Sequence, residues 1–147
     1  GEPDPTLLAK LLDDPYFRLP PPKSTGRELF HADWLAQHLR GHNDPQQVQA
    51  TLAELTARSI SDALTDFAPQ QLLVCGGGAH NRHLLARLQH HLGVPVTSTE
   101  NEGLHPDWVE AAAFAWLAWA RLEEKNGNAP AVTGASREAI LGQVTLP

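Results

Sequence analysis

Residues 71–81 read QLLVCGGGAHN, and the fold turns on how this stretch is read. Leu72, Leu73 and Val74 form a short apolar run bounded by Pro69 and a triple glycine, which predicts a buried strand. Gly76, Gly77 and Gly78 then follow the strand's carboxyl end, the edge at which open α/β sheets take ligands. Glycine accepts positive φ and allows a ligand close to the backbone. N–H groups at the start of a following helix can hold a phosphate or ribose oxygen. The pattern is neither a Walker loop nor GxGxxG. From the glycines alone, a ligand loop and a plain strand-to-helix turn are both open.

Downstream, a helix is predicted from about Asn81 to Leu92, with Leu84, Leu85, Leu88 and Leu92 inward and Gly93 ending it. VPVTS (94–98) reads as a second strand, its proline marking an edge or a start. Pro106 opens a long helix to about Lys125, with Asp107 and Glu110 in its dipole-favoured first turn. Its centre, AAAFAWLAWA, is too short and alanine-rich for a membrane span and reads as a buried helix. Trp108, Trp116 and Trp119 on it read as core or interface packing. The tail is predicted as loop, with one helical turn after Ser136.

Upstream, Asp4 and Pro5 predict a cap and first helical position, followed by the stripe Leu7, Leu8, Leu11, Leu12 and a stop at Pro15. Pro20, Pro21 and Pro22 favour polyproline II. A second helix is predicted from about Leu29 to Arg40, with Phe30, Trp34, Leu35 and Leu39 inward and Gly41 as cap. A third starts at Asp44, Pro45 and Gln47, a capping-box pattern, and runs to about Asp66, its inward stripe reaching Phe67.

Three helices followed by strand-helix-strand-helix predict an α/β fold, helix-rich, with a parallel unit in residues 69–147 and a helical portion in residues 1–68. Two strands make a poor sheet, so further strands are expected upstream of residue 1. Glycine at position 1 and the lack of any methionine among 147 residues suit either tag cleavage or an excised piece.

The net charge of -6 argues against a nucleic-acid surface, and no membrane partner is expected. The single cysteine, Cys75, excludes an intrachain disulfide and suits a cytoplasmic setting. PPKSTGRE (21–28) places Lys23, Ser24, Thr25 and Arg27 around Gly26, a set that suits an anionic ligand and equally a solvated loop. Asp107 and Glu110, three apart, are either helix-start charges or acceptors for sugar hydroxyls or metal-bound water. Eight histidines include His80 and His83 at i, i+3 and the adjacent His90 and His91, but no HExxH occurs and no metal site is expected.

The ordered segments DDPYF, PPPKSTGRELF, PQQVQATLAELTARSI, LLVCGGGAHN, EAAAFAWLAWA and PAVTGAS with ILG together resemble the anhydro-N-acetylmuramic acid kinases across essentially the whole chain. The resemblance implies the second, carboxy-terminal lobe of an actin-like, ribonuclease H-like sugar kinase. Such kinases open the 1,6-anhydro ring of anhydro-N-acetylmuramic acid with water and phosphorylate its 6-hydroxyl with ATP and Mg²⁺, in bacterial cell-wall recycling. It implies homodimers as well. On matching positions it assigns Gly76, Gly77, Gly78 and Asn81 to the nucleotide, Glu110 to the sugar side, and Lys23, Ser24, Thr25 and Arg27 to a nucleotide or cleft-lining role. The family's serine-glycine-threonine phosphate loop and its DTGPGN-type segment with the catalytic base do not occur here. The chain therefore carries no catalytic residue of its own, and a missing amino-terminal lobe is its expected partner. A stand-alone ligand-binding module and a helical interaction domain are the competing readings.

Overall fold

The structure is a computed structural model and describes residues 1–39, 41 and 44–145. Helix α1 (Pro5–Leu12) starts where Asp4 predicts, the aspartate accepting from the Thr6 and Leu7 N–H groups. Pro15 ends that helix but also begins another, α2 (Pro15–Arg18), capped by Asp14. The same aspartate-proline signal thus stops one helix and opens the next. Pro21 and Pro22 form a bend rather than a run of polyproline II.

Helix α3 spans Ala32–His38, three residues later than predicted, because the N–H groups of Leu29 and Phe30 turn back onto the Gly26 carbonyl. Its predicted end at Arg40 lies outside the described residues. Helix α4 (Pro45–Leu64) is capped by Asp44, as its sequence requires. A 3-10 turn, Thr65–Phe67, closes it, and Phe67 faces solvent instead of continuing the inward stripe.

Strand β1 (Leu72–Val74) pairs in parallel with β2 (Val96–Ser98) in the register Leu72 with Val96, Leu73 with Thr97 and Val74 with Ser98. Helix α5 (Arg82–Leu92) supplies the crossover that parallel strands need, and Gly93 at φ 68 ends it. The two strands are the whole sheet among the described residues.

Two apolar clusters form the core. Leu7, Leu11 and Leu55 are buried in the first, with Phe17, Trp34 and Leu52 against them. Ala57, Leu88 and Val96 are buried in the second, beneath Leu72, Val74 and Leu84. Helix α4 contributes Leu55 to one and Ala57 to the other, so a single helix joins both halves.

A 3-10 turn, Pro106–Trp108, precedes α6 (Val109–Leu122). The sequence predicts this helix as buried, and the structure corrects that. Phe114 is 71% exposed, Trp116 50% and Leu122 70%, while Ala120 is the buried residue of α6. Apolar composition reports that a face needs cover; it does not supply the cover. The tail folds back on the end of α6, where the Gly127 N–H donates to the Ala139 carbonyl. Its helical turn, α7 (Pro130–Thr133), comes before Ser136 and not after it. No described helix is long and apolar enough to cross a membrane.

Candidate functional site

The loop after β1 is built around one glycine. Gly76 has φ 66 and ψ -166, a region essentially closed to residues with a Cβ. That turn sends the chain into a 3-10 segment, Gly77–His80, and then to Asn81, whose side chain accepts from the Leu84 N–H at 3.0 Å and caps α5. Within the loop the Ala79 N–H donates to Gly76 O at 3.0 Å and the Asn81 N–H to Gly78 O at 3.1 Å. The N–H groups of Gly77 and Gly78 have no hydrogen-bond partner among the described residues. A Cβ on Gly76 or Gly77 would meet nothing within 4 Å. Packing within the chain therefore does not require glycine at 77, whereas a Cβ on Gly78 would touch Val74 and Leu84.

A second segment closes on this loop. The Gly76 N–H donates to the Pro106 carbonyl at 2.9 Å, and His80 Nε2 donates to Asp107 Oδ1 at 2.8 Å. Pro106 is buried, while the His80 and Asp107 side chains are about half exposed. Glu110 stands exposed in the first turn of α6. The structure thus brings Gly76, Gly77, Gly78, Asn81 and Asp107 to one region at the carboxyl end of β1, with Glu110 three residues further along the chain. The link between His80 and Asp107 spans 27 residues, and no local pattern announces it.

The residues of PPKSTGRE lie elsewhere. Lys23 Nζ donates to the Tyr16 and Phe17 carbonyls at 3.2 and 3.0 Å and sits 5.1 Å from the Tyr16 ring centroid, closing the end of α2. Ser24 is exposed and Thr25 half-buried. Arg27 borders a groove of about 580 Å³ lined by Phe17, Phe30, Trp34 and Leu52. Among the described residues no hydrogen bond or ion pair joins residues 23–27 to residues 76–81.

Sequence reading also misses a buried charge cluster. Arg87 reaches Glu54 through Nε at 2.6 Å and Nη2 at 3.0 Å, and His91 Nε2 donates to Glu54 Oε1 at 2.7 Å. The Arg87 fork holds the Glu54 carboxyl down to about 2, against burial, which pushes it up; the His91 bond adds to the depression. The cluster lies between α4 and α5 and ties them together. No group of three or more His, Cys, Asp or Glu side chains that could hold a metal occurs among the described residues.

The family profile described as anhydro-N-acetylmuramic acid kinase matches residues 1–147. The anhydro-N-acetylmuramic acid kinase of Chromohalobacter salexigens is 54% identical over 149 residues, covering 97% of this chain and 40% of the relative. That of Coxiella burnetii is 54% identical over 143 residues, covering 94% of this chain and 38% of the relative. That of Saccharophagus degradans is 53% identical, covering 96% and 39%. The chain thus spans about two-fifths of the length of these curated relatives. With a glycine loop of open geometry and a match along its whole length, this chain belongs to the anhydro-N-acetylmuramic acid kinase family.

Proposed function

We propose that this chain is the nucleotide-side, carboxy-terminal part of an ATP-dependent kinase of anhydro-N-acetylmuramic acid. That kinase opens the 1,6-anhydro ring and phosphorylates the 6-hydroxyl, in cytoplasmic recycling of bacterial cell wall. The observation that carries the reading is the loop at residues 76–78. A glycine-only backbone turn at Gly76 leaves the Gly77 and Gly78 N–H groups without a hydrogen-bond acceptor among the described residues, and nothing lies within 4 Å of where a Cβ on Gly76 or Gly77 would stand. Such donors hold a phosphate or ribose oxygen. ATP, when bound, supplies the phosphoryl group. This chain's residues bind and orient: Gly76, Gly77, Gly78 and Asn81 on the nucleotide, Glu110 as an acceptor on the sugar side, with Ser24, Thr25 and Arg27 lining the cleft more remotely. Mg²⁺ is assigned no ligand among these residues.

The fold reading is an actin-like second lobe whose remaining strands and amino-terminal lobe come from the rest of a family-length polypeptide. That remainder carries the phosphate loop and the base that activates water. A stand-alone binding module is the less favoured reading, because such a module would cover the aromatic face of α6.

The test is Gly77→Val in a family-length kinase carrying this segment. A valine fills the space a nucleotide must enter. Hydrogen bonds to a charged phosphate are worth roughly 1.5–3 kcal/mol each, so losing one raises Kd for ATP about tenfold or more. Calorimetric titration is expected to show that loss for ATP with sugar affinity retained. Unchanged ATP affinity in a normally melting variant would remove the loop from the nucleotide site.

A further inference from the structure

We propose that His80 and Asp107 are positioning residues that clamp the glycine loop to the start of α6 and so set nucleotide affinity. The inference rests on reading residues 76–81 as the nucleotide loop.

The loop needs an external hold. Gly76 occupies a backbone region that glycine enters without steric cost and also leaves readily. The strand before it is three residues long, and its 3-10 segment is one turn. Asn81 fixes the far end by capping α5. The loop is held from outside by two bonds, both to the same short turn at residues 106–107. One is backbone, from the Gly76 N–H to Pro106 O at 2.9 Å; the other is His80 Nε2 to Asp107 Oδ1 at 2.8 Å. They grip the loop on either side of Gly77 and Gly78. Together they fix where the Gly77 and Gly78 N–H groups point.

The turn that carries Asp107 is itself capped. Its N–H donates to His105 Nδ1 at 3.3 Å. That nitrogen therefore presents a lone pair, and its 4.0 Å approach to Asp107 Oδ2 is not a hydrogen bond. His80 is thus the hydrogen-bond donor to the carboxylate among the described residues. Because the same turn leads directly into Glu110, the clamp also fixes the spacing between the nucleotide loop and the acceptor assigned to the sugar.

Half-exposed ion pairs contribute little to folding. This separates a clamp from a structural bond: breaking it should alter affinity while melting hardly moves. The experiment is a double-mutant cycle, His80→Ala and Asp107→Ala, in the family-length kinase, reading Kd for ATP and for the sugar beside a melting curve. Each single variant is expected to weaken ATP about three- to tenfold, the range of one hydrogen bond. The double variant should be no weaker than the worse single, and sugar affinity should change less than ATP affinity. Asp107→Asn keeps an oxygen acceptor for the imidazole N–H and should recover most of the loss. Additive single effects, or intact ATP affinity in a folded Asp107→Ala variant, overturn the clamp. Should the double variant fail to fold, equal ATP affinities for Asp107→Asn and Asp107→Ala overturn it instead. Gly77→Val separates the two failures. If it weakens ATP while the cycle shows no coupling, only the clamp falls. If it leaves ATP unchanged, the nucleotide loop and the clamp fall together.

Discussion

Glu54 couples the stability of the helical scaffold to pH. Its side chain is 8% exposed and accepts three charge-assisted or polar bonds from Arg87 and His91. Its folded carboxyl titrates near 2 against an ordinary 4.5, so the folded state prefers the carboxylate. The contribution is fully present above the unfolded value, and it is lost as pH falls from about 4.5 toward about 2. Glu54→Gln is expected to cost about 2–4 kcal/mol at neutral pH, since removing one partner strands the other charge. Urea unfolding between pH 7 and 2.5 checks this. The wild-type chain should lose stability steeply below pH 4.5 and the variant much less. Parallel acid limbs in the two proteins would place the pH sensitivity elsewhere.

At the scale of elements, capping chemistry is what the sequence states most clearly. Asp4 and Pro5, and Asp44 and Pro45, set the starts of α1 and α4 to the residue, because a short carboxylate acceptor and a ring-fixed φ are local requirements. Asp14 and Pro15 carry the same signal, yet Pro15 also reads as a stop, and the four-residue α2 is missed. The triple glycine is legible as a turn for the same local reason. The clamp at Asp107 and the Glu54 cluster are not, since both join residues far apart in sequence and obey no period. The seam between α1 and α4 shows a further tertiary bond of this kind. Thr51, fully buried, accepts from the Asp4 N–H at 2.8 Å and donates to Gln47 O at 2.7 Å. Thr51→Val keeps the volume and adds apolar surface, so burial alone predicts a gain in stability. Loss of the acceptor for the Asp4 N–H predicts a cost of about 1–2 kcal/mol. Denaturant unfolding is expected to show the cost. A stabilised valine variant would mean that burial decides this seam.

Across the whole molecule, the core lies along α4, in one cluster with α1 and another with α5 and the two strands, and α6 stands largely outside it. Leu73 on β1 is 37% exposed, and β1 has β2 on one side and no described strand on the other. Pro95 at the start of β2 lacks an N–H, which suits an outer strand, whereas the uniformly apolar β1 suits an inner one. Trp108, Phe114, Trp116, Trp119 and Leu122 are all exposed, and large apolar side chains left uncovered in this number mark an interface. A chain spanning about two-fifths of its relatives' length leaves ample polypeptide to cover it. The expected occupant is the remainder of a family-length chain, adding a strand beside β1 and packing on α6. Producing that remainder separately and mixing it with this chain tests the idea. Tryptophan emission should shift to the blue as exposed indoles are covered. Turnover measured as ADP release with ATP, Mg²⁺ and anhydro-N-acetylmuramic acid should appear only in the mixture. Phe114→Lys with Trp116→Lys should abolish association while leaving the unfolding of the α4–α5 core unchanged, since neither side chain belongs to it. Turnover by this chain alone, or a mixture that assembles equally well with both lysines in place, would show that α6 serves some other purpose.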